Sequence, residues 1–482
     1  MNILIASSEA VPFAKTGGLA DVAGSLHKEF NKIGHNANII LPFYRRIKQN
    51  FIVNDLGLEI NVPVGESNFK AKVFSYNNNC YFVKCDELFD RDELYGTPQG
   101  DYEDNSIRFI FFSRCILEVC KKLDFKPDII HCNDWQTGLV PLYLKTIYKN
   151  DYFFKDTATV LTIHNIGYQG LFPASDMSKI GIGWEYFNPD GIEFYGKINF
   201  LKAGIISADI INTVSKTYAE EILNEESGFG LDGILRTKKD RIFGIINGID
   251  YDEWNPSKDN FLPAKYSYKD IRGKLVCRKD LIKKMFGNNK DSENKPLLGI
   301  VGRLSAQKGM DLVIKAAPVM LSSGARLIIL GKGDEYIHSE LKKMQKNFPE
   351  KVSLTLGFDD RLAHNIYAGV DFFLMPSKYE PCGLGQMIAM RYGTVPVARA
   401  TGGLVDTIDD YDPLIYSGTG FLFHDYSHYA FLNAIKTAFC VYNDSRKMKN
   451  LISNTMKKDF SWKNSAEQYI DMYNYAIKIR EK

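Results

Sequence analysis

The sequence predicts an α/β protein of two Rossmann-like, doubly wound domains facing across a cleft. Three observations carry that prediction. Short apolar runs alternate with helical patterns along the chain, which is how a parallel sheet covered by helices reads. The theme stops over residues 247–266, a stretch punctuated by Asn247-Gly248, Trp254-Asn255-Pro256 and Pro263, and then restarts. The chain has 482 residues, more than one ordinary core supports.

In the first domain, residues 1–250, Ile3 to Ala6 reads as a buried strand. A loop follows, then a helix whose apolar residues Leu19, Val22, Ala23, Leu26, Phe30 and Ile33 recur at spacings of three and four, on one face. Gly34 is placed to end that helix, and Ile39-Ile40-Leu41 begins the next strand, giving a βαβ unit with its loop at the strand's C-terminal end. Asp128 to His131, Val160 to Ile163 and Asp209 to Val214 read as further strands, with a helix after Thr137. In the second domain, residues 251–460, Leu297 to Val301 is a strand, 302–309 a loop and Met310 to Leu321 a helix. Leu327 to Leu330, Val352 to Leu356, Phe372 to Met375 and Val395 to Ala398 continue the sheet. Residues 461–482 read as a helix with Ala466, Tyr469, Ile470, Tyr473, Ala476 and Ile477 on its apolar side. Sheets of this kind bind ligands at the strand C-terminal edges.

Composition narrows the function classes. Hydrophobic residues make up 45% and charged residues 24%, as in a globular enzyme that folds in water. Lys plus Arg number 60 against 58 Asp plus Glu, a formal charge of +2, which gives no reason to expect nucleic acid or membrane as a partner. The eight cysteines contain no Cys-x-x-Cys pair and no Cys/His zinc spacing, which predicts reduced thiols, no metal and a cytoplasmic setting. Met1-Asn2-Ile3-Leu4-Ile5-Ala6 enters a strand at once, without a basic leader or a long apolar segment.

The tetrapeptide Thr-Gly-Gly-Leu occurs twice, as Thr16-Gly17-Gly18-Leu19 and Thr401-Gly402-Gly403-Leu404, with Asp21 and Asp406 at matching offsets. Chance nearly explains a repeat so short, so its surroundings carry the argument. Each copy opens a helix, where glycines admit close approach and the helix N-terminus favours an anion. Lys15 adds a positive charge to the first copy. The spacing is neither a Walker loop nor Gly-x-Gly-x-x-Gly, which argues against a dinucleotide cofactor. Arg303 and Lys308, on one loop just after a strand, suit a diphosphate that gains charge as it leaves. Glu380-Pro381-Cys382-Gly383-Leu384 sets a carboxylate and amides where a sugar hydroxyl or an oxocarbenium-like centre would sit. Cys382 reads as a packed thiol, since no His lies near it in sequence.

His131-Cys132-Asn133-Asp134-Trp135 and His164-Asn165 each follow a strand. His164 reads either as a satisfied structural histidine or as a group that meets a sugar hydroxyl or developing charge. Asp250/Asp252 and Asp410/Asp412 lie in turn-like contexts and read as turn residues, not metal ligands. The stretch from Tyr95 through Asp101-Tyr102-Glu103-Asp104-Asn105 to Arg108-Phe109 reads as a surface for stacking and hydrogen-bonding sugar rings.

Taken in order, these segments resemble the glycogen and starch synthases. The blocks are Lys15-Thr16-Gly17-Gly18-Leu19-Ala20-Asp21-Val22, Asp101-Tyr102-x-Asp104-Asn105-x-x-Arg108-Phe109, Asn133-Asp134-Trp135, His164-Asn165 and Asn247-Gly248-x-Asp250. They continue with Gly302-Arg303-Leu304, Gln307-Lys308-Gly309, Glu380 to Leu384 and Thr401 to Leu404. Each block is weak alone, the ordered set is specific, and it spans nearly the whole chain. The resemblance implies a GT-B glycosyltransferase that moves glucose from ADP-glucose to the non-reducing 4-hydroxyl of an α-1,4-glucan with retention and without a metal or other cofactor. It implies that Lys15, with Gly17 and Gly18, and Arg303 and Lys308 hold the diphosphate, and that Glu380 with the Cys382, Gly383 and Leu384 backbone holds the donor sugar. His164 and Asn247 would lie near the glucose, Thr401 and Gly402 near the distal phosphate, and Asp134 near the reacting centre. Phe358 would stack on adenine in a place where the family often has Tyr. Tyr95, Asp21 and Trp135 are assigned to the acceptor side. The final helix would pack back on the first domain. Related retaining transferases carry a second Glu eight residues after the first; Ile388 stands there, which removes a candidate nucleophile and favours a same-face route.

Three rivals remain at this stage. UDP-glucose differs from ADP-glucose only at the base. A catalytically inactive glucan-binding protein would keep the scaffold, but has no need of Lys15, Arg303, Lys308 and Glu380 together. A nucleotide-sugar epimerase leaves the aromatic stretch unexplained.

Overall fold

The computed structural model describes residues 1–97, 99–287 and 295–480. The chain divides into two compact units, Met1–Asn247 with Trp462–Lys482, and Gly248–Ser461.

The first unit is built on a nine-stranded sheet. Its strands are β1 (Asn2–Ala6), β2 (Asn36–Pro42), β3 (Asn54–Val64), β4 (Ser67–Tyr76), β5 (Cys80–Lys84), β6 (Ile129–Asn133), β7 (Ala158–Ile163), β8 (Ile210–Thr213) and β9 (Ile242–Gly244). The spatial order is β9-β8-β7-β6-β1-β2-β5-β4-β3. Seven strands are parallel, and β4 runs antiparallel to both β3 and β5. That antiparallel arm departs from the all-parallel expectation. Its two long strands alternate exposed and buried residues, so they carry the one-sided pattern of a sheet edge and not the continuous apolar run of a buried strand.

The chain winds outward from β1 to β2 and returns on the other side of β1 as β6, so the β1/β6 boundary is a switch point. Helix α1 (Gly18–Lys32) follows β1 and buries Leu19, Val22, Ala23, Leu26 and Phe30, as its spacing predicts. The helix Trp462–Arg480 lies on this unit. Its Tyr473 hydroxyl meets His131 Nδ1 at 2.8 Å, and Asn212 donates to its Tyr469 hydroxyl at 3.1 Å.

The described residues of the second unit form a six-stranded sheet, all parallel: β10 (Leu297–Val301), β11 (Arg326–Gly331), β12 (Val352–Leu356), β13 (Phe372–Met375), β14 (Val395–Arg399) and β15 (Phe421–Phe423). Their order is β12-β11-β10-β13-β14-β15, which puts the switch point between β10 and β13. The stretch at 248–266 is tied down within this unit. Asp259 is buried, accepts from the Tyr392 hydroxyl at 2.6 Å and pairs with His364 Nδ1 at 2.7 Å, while Trp254 stacks on His364 at 4.1 Å.

Candidate active site

In the first unit the loop after β1 folds around Glu9. This carboxylate is buried, yet it accepts from the Thr16 amide, from Thr16 Oγ1 at 2.6 Å, from the Gly17 amide at 3.3 Å and from the Tyr95 hydroxyl at 2.7 Å. Ser8 Oγ completes the group, 2.7 Å from the Tyr95 oxygen. Glu9 thus supplies an internal anion to the Thr16 amide and to the Gly17 amide, the latter expected to face a ligand anion. Lys15 remains on the outer side, 2.7 Å from Asp21, with half its side chain exposed.

The strand ends at β6 and β7 bring Asn133, Asp134, His164 and Asn165 together. Asn133 Nδ2 donates to the Ala6 carbonyl at 3.1 Å, which turns its Oδ1 toward His164 Nε2 at 2.8 Å. The proton of His164 is thereby assigned to Nε2, leaving Nδ1 as an acceptor. Burial pushes the His164 pKa down to about 3, so the ring is neutral. Asp134 accepts from the His164 amide at 2.7 Å, and burial pushes its carboxyl up to about 7. Its backbone sits at φ 54°, ψ −170°, a region that glycine occupies and other residues avoid. Asn247 is buried, and its Oδ1 has no hydrogen-bond partner among the described residues.

In the second unit the loops after β10 and β13 meet. Lys308 Nζ lies 2.6 and 2.8 Å from the two oxygens of Glu380, and Ser377 Oγ donates to the same carboxylate at 3.0 Å. Arg303 is exposed on the same loop as Lys308. The loop after β14 lies against the Glu380 segment: the Gly403 amide donates to the Glu380 carbonyl at 3.1 Å. Cys382 and Thr401 are buried, and Gly383 and Gly402 both have positive φ. Leu384 directly precedes the helix Gly385–Arg391. Phe358 stands out from the loop after β12, with 86% of its surface exposed.

Residues 2–237 match the family model described as the starch synthase catalytic domain, and residues 282–458 the model described as glycosyl transferases group 1. The glycogen synthase of Thermodesulfovibrio yellowstonii is 46% identical over 500 residues, covering 100% of this chain and 99% of the relative. That of Syntrophotalea carbinolica is 46% identical over 483 residues, covering 99% of each. The chain belongs to the glycogen synthase family. It is a glycosyltransferase of GT-B fold. Among solved structures, the catalytic domain of starch synthase IV from Arabidopsis thaliana, bound to ADP and acarbose, superposes with a TM-score of 0.90 at 34% identity and 99% coverage of both chains. Sucrose-phosphate synthase from Thermosynechococcus elongatus, at 17% identity and a TM-score of 0.61, shares the fold.

For a glycogen synthase, the most instructive departure from the sequence reading is the aromatic stretch. Arg108, Phe109 and Asn105 are buried, not displayed. Arg108 Nε donates to the Leu88 carbonyl at 2.8 Å, and Asp104 is held by Arg91. Trp135, expected on the acceptor side, packs edge-on against Phe109 at 4.9 Å and is 9% exposed, so its faces cannot stack on a sugar. The Tyr95 ring anchors Glu9 through its hydroxyl. These residues build the floor under the β1 loop. Glu9 gives little signal in the sequence beyond being a lone carboxylate three residues past the end of a buried strand. Asp252 donates its amide to Asp250 Oδ1 at 2.8 Å and Asp412 Oδ1 accepts from the Leu414 amide at 2.8 Å, both turn geometries. Among the described residues no group of three or more His, Cys, Asp or Glu is placed to hold a metal, and no helix is long and apolar enough to cross a membrane.

Proposed function

We propose that the chain transfers glucose from ADP-glucose to the non-reducing 4-hydroxyl of an α-1,4-glucan, keeping the α configuration. The observation that carries this reading is the Lys308–Glu380 pair beside Arg303 at the second unit's switch point, in a chain 34% identical to a starch synthase solved with ADP and acarbose.

Arg303 and Lys308 receive the diphosphate and stabilise the charge it gains as the glycosidic bond breaks. Lys15 adds a third cation, and Thr401 and Gly402 contribute a hydroxyl and an amide to the distal phosphate. Glu380, with the Cys382 to Leu384 backbone, takes hydroxyls of the donor sugar. Asp134 braces the strand end that carries His164, whose Nδ1 accepts a sugar hydroxyl, and Asn247 offers its unpaired oxygen to the same sugar. Ile388 is buried and apolar, so that position supplies no nucleophile. The acceptor hydroxyl therefore attacks from the face that ADP leaves, and its proton passes to the departing phosphate oxygen. In this reading the cations take the place of a metal at the diphosphate. Seven buried free cysteines fit a reducing cytoplasm.

Initial-rate transfer to glycogen from ADP-glucose and UDP-glucose, without added metal, tests the reading. Faster transfer from ADP-glucose is expected. Preference for UDP-glucose would overturn the donor, glycogen binding without transfer would overturn the activity, and a trapped glucosyl-enzyme would overturn the same-face route.

A further inference from the structure

Two exposed aromatic residues of the first unit sit in backbone that such residues avoid. Tyr195 has φ 49° and is 83% exposed; Phe229 has φ 50° and is 43% exposed. Each is followed by a left-handed glycine, Gly196 at φ 77° and Gly230 at φ 80°. Tyr195-Gly196 forms the two-residue turn between Phe194 and its partner Lys197, a turn that asparagine or glycine ordinarily opens. At both turns the chain places a large ring where a small polar residue costs less, the pattern expected when display of the ring is what the site requires.

The two turns are neighbours. A Cβ on Gly230 would lie 3.0 Å from Phe194 Cζ and 3.5 Å from Tyr195 Cε2. Buried Gln169 pins the cluster: its Nε2 donates to the Phe229 and Ile166 carbonyls at 3.1 Å each, and its Oε1 accepts from Asn199 at 2.7 Å. The preceding residue, Tyr168, is 52% exposed, and its amide donates to the Asn165 carbonyl at 3.1 Å. The ring cluster is therefore continuous with the β7 edge that carries His164. Asn165 and Glu193 turn their side chains back to brace the two loops, accepting from the Gly167 amide at 3.0 Å and the Gly196 amide at 2.6 Å. Rings edged by amides and carboxylates suit the alternating apolar faces and hydroxyl rims of sugar units.

We propose that Tyr195 and Phe229, with Tyr168, form a shelf that holds the α-1,4-glucan chain beyond the unit being extended. The identity of the ligand rests on the glucan-transfer reading above; the existence of the shelf does not. Replacing Tyr195 and Phe229 by Asn removes both rings while keeping a residue that tolerates left-handed backbone. The double variant of the full chain is compared with the parent by retardation in glycogen-containing native gels, without donor, and by initial rates on glycogen and maltotriose. Glycogen affinity in the gel is expected to fall about tenfold. The KM for glycogen should rise in parallel, with kcat and the maltotriose and nucleotide-sugar KM values unchanged and the melting temperature held. The ring-preserving pair Tyr195→Phe and Phe229→Tyr should restore binding. Unchanged retardation overturns the shelf, as does a shift of the nucleotide-sugar KM alone, which would make the rings an intramolecular contact. A parent chain that is retarded but transfers no glucose would defeat the functional reading and leave the gel comparison to decide the shelf.

Discussion

The two Thr-Gly-Gly-Leu loops share a sequence, a preceding strand and a following helix, yet their first glycines serve different ends. Gly17 is extended at φ −151°, and a Cβ there would meet nothing within 4 Å. Gly402 has φ 45°, and a Cβ there would lie 2.1 Å from the Glu380 carbonyl oxygen. The first loop is held from behind by the Glu9 carboxylate and opens a helix of 15 residues. The second is held by main-chain carbonyls of the Glu380 segment and opens a helix of 5 residues. In the first unit glycine leaves room in front of the loop; in the second it lets two backbones touch. A shared tetrapeptide reports a shared turn, and its neighbours decide whether the turn serves the ligand or the fold.

The largest effect that would break this distinction is on stability. Gly402→Ala should cost about 4 kcal/mol or prevent the second unit from folding, since it combines a backbone collision with a left-handed φ. Gly17→Ala should stay within about 1 kcal/mol in denaturant unfolding while lowering transfer activity. Equal losses of stability would end the contrast. Next come the charges, which the first loop carries at Lys15 and the second lacks at Ala400. Lys15→Ala and Arg303→Ala should each lose about 2–4 kcal/mol of transition-state stabilisation in kcat/KM. Neither should move the melting temperature, because exposed ion pairs contribute little to folding. Near-normal kcat in Arg303→Ala would remove its leaving-group role.

Asp134 extends the comparison from the loops to the strand ends. Its folded pKa of about 7 lies above the ordinary carboxylate value, so its ionisation opposes folding; the cost is full above pH 7 and fades as pH falls toward 4. Asp134→Asn should therefore stabilise the chain by about 2 kcal/mol near pH 8, with the gap narrowing by pH 5. A pH-independent gap in thermal unfolding would show that strain, not charge, sets the cost. The smallest effect belongs to Phe358. Phe358→Ala should raise the nucleotide-sugar KM about three- to tenfold, and Phe358→Tyr should leave it nearly unchanged.

The strands that carry the site were legible because they are short and apolar: β10 and β13 are almost wholly buried and begin and end where the residue pattern places them, and the edge strand β12 does so although only Val352 is fully buried. The arm of β3 and β4 was not, since half of each strand faces water and Asn54-Asp55-Leu56-Gly57 begins it without an apolar run. Cationic site residues announced themselves by following strands. Glu9 did not, because its role depends on which amides the folded loop turns toward it. The Asp101–Phe109 block was visible as a motif, but only its first residues lie at the surface; sequence alone gave no sign that Arg108 would be enclosed by Phe89, Tyr102 and Phe109.

The helix Trp462–Arg480 has a temporal consequence. The first unit is written in two pieces separated by the whole of the second. During synthesis the second unit emerges in full before Tyr469 and Tyr473 exist to cover Asn212 and His131. The first unit thus lacks the backing of this helix until the segment that follows the second unit has been made.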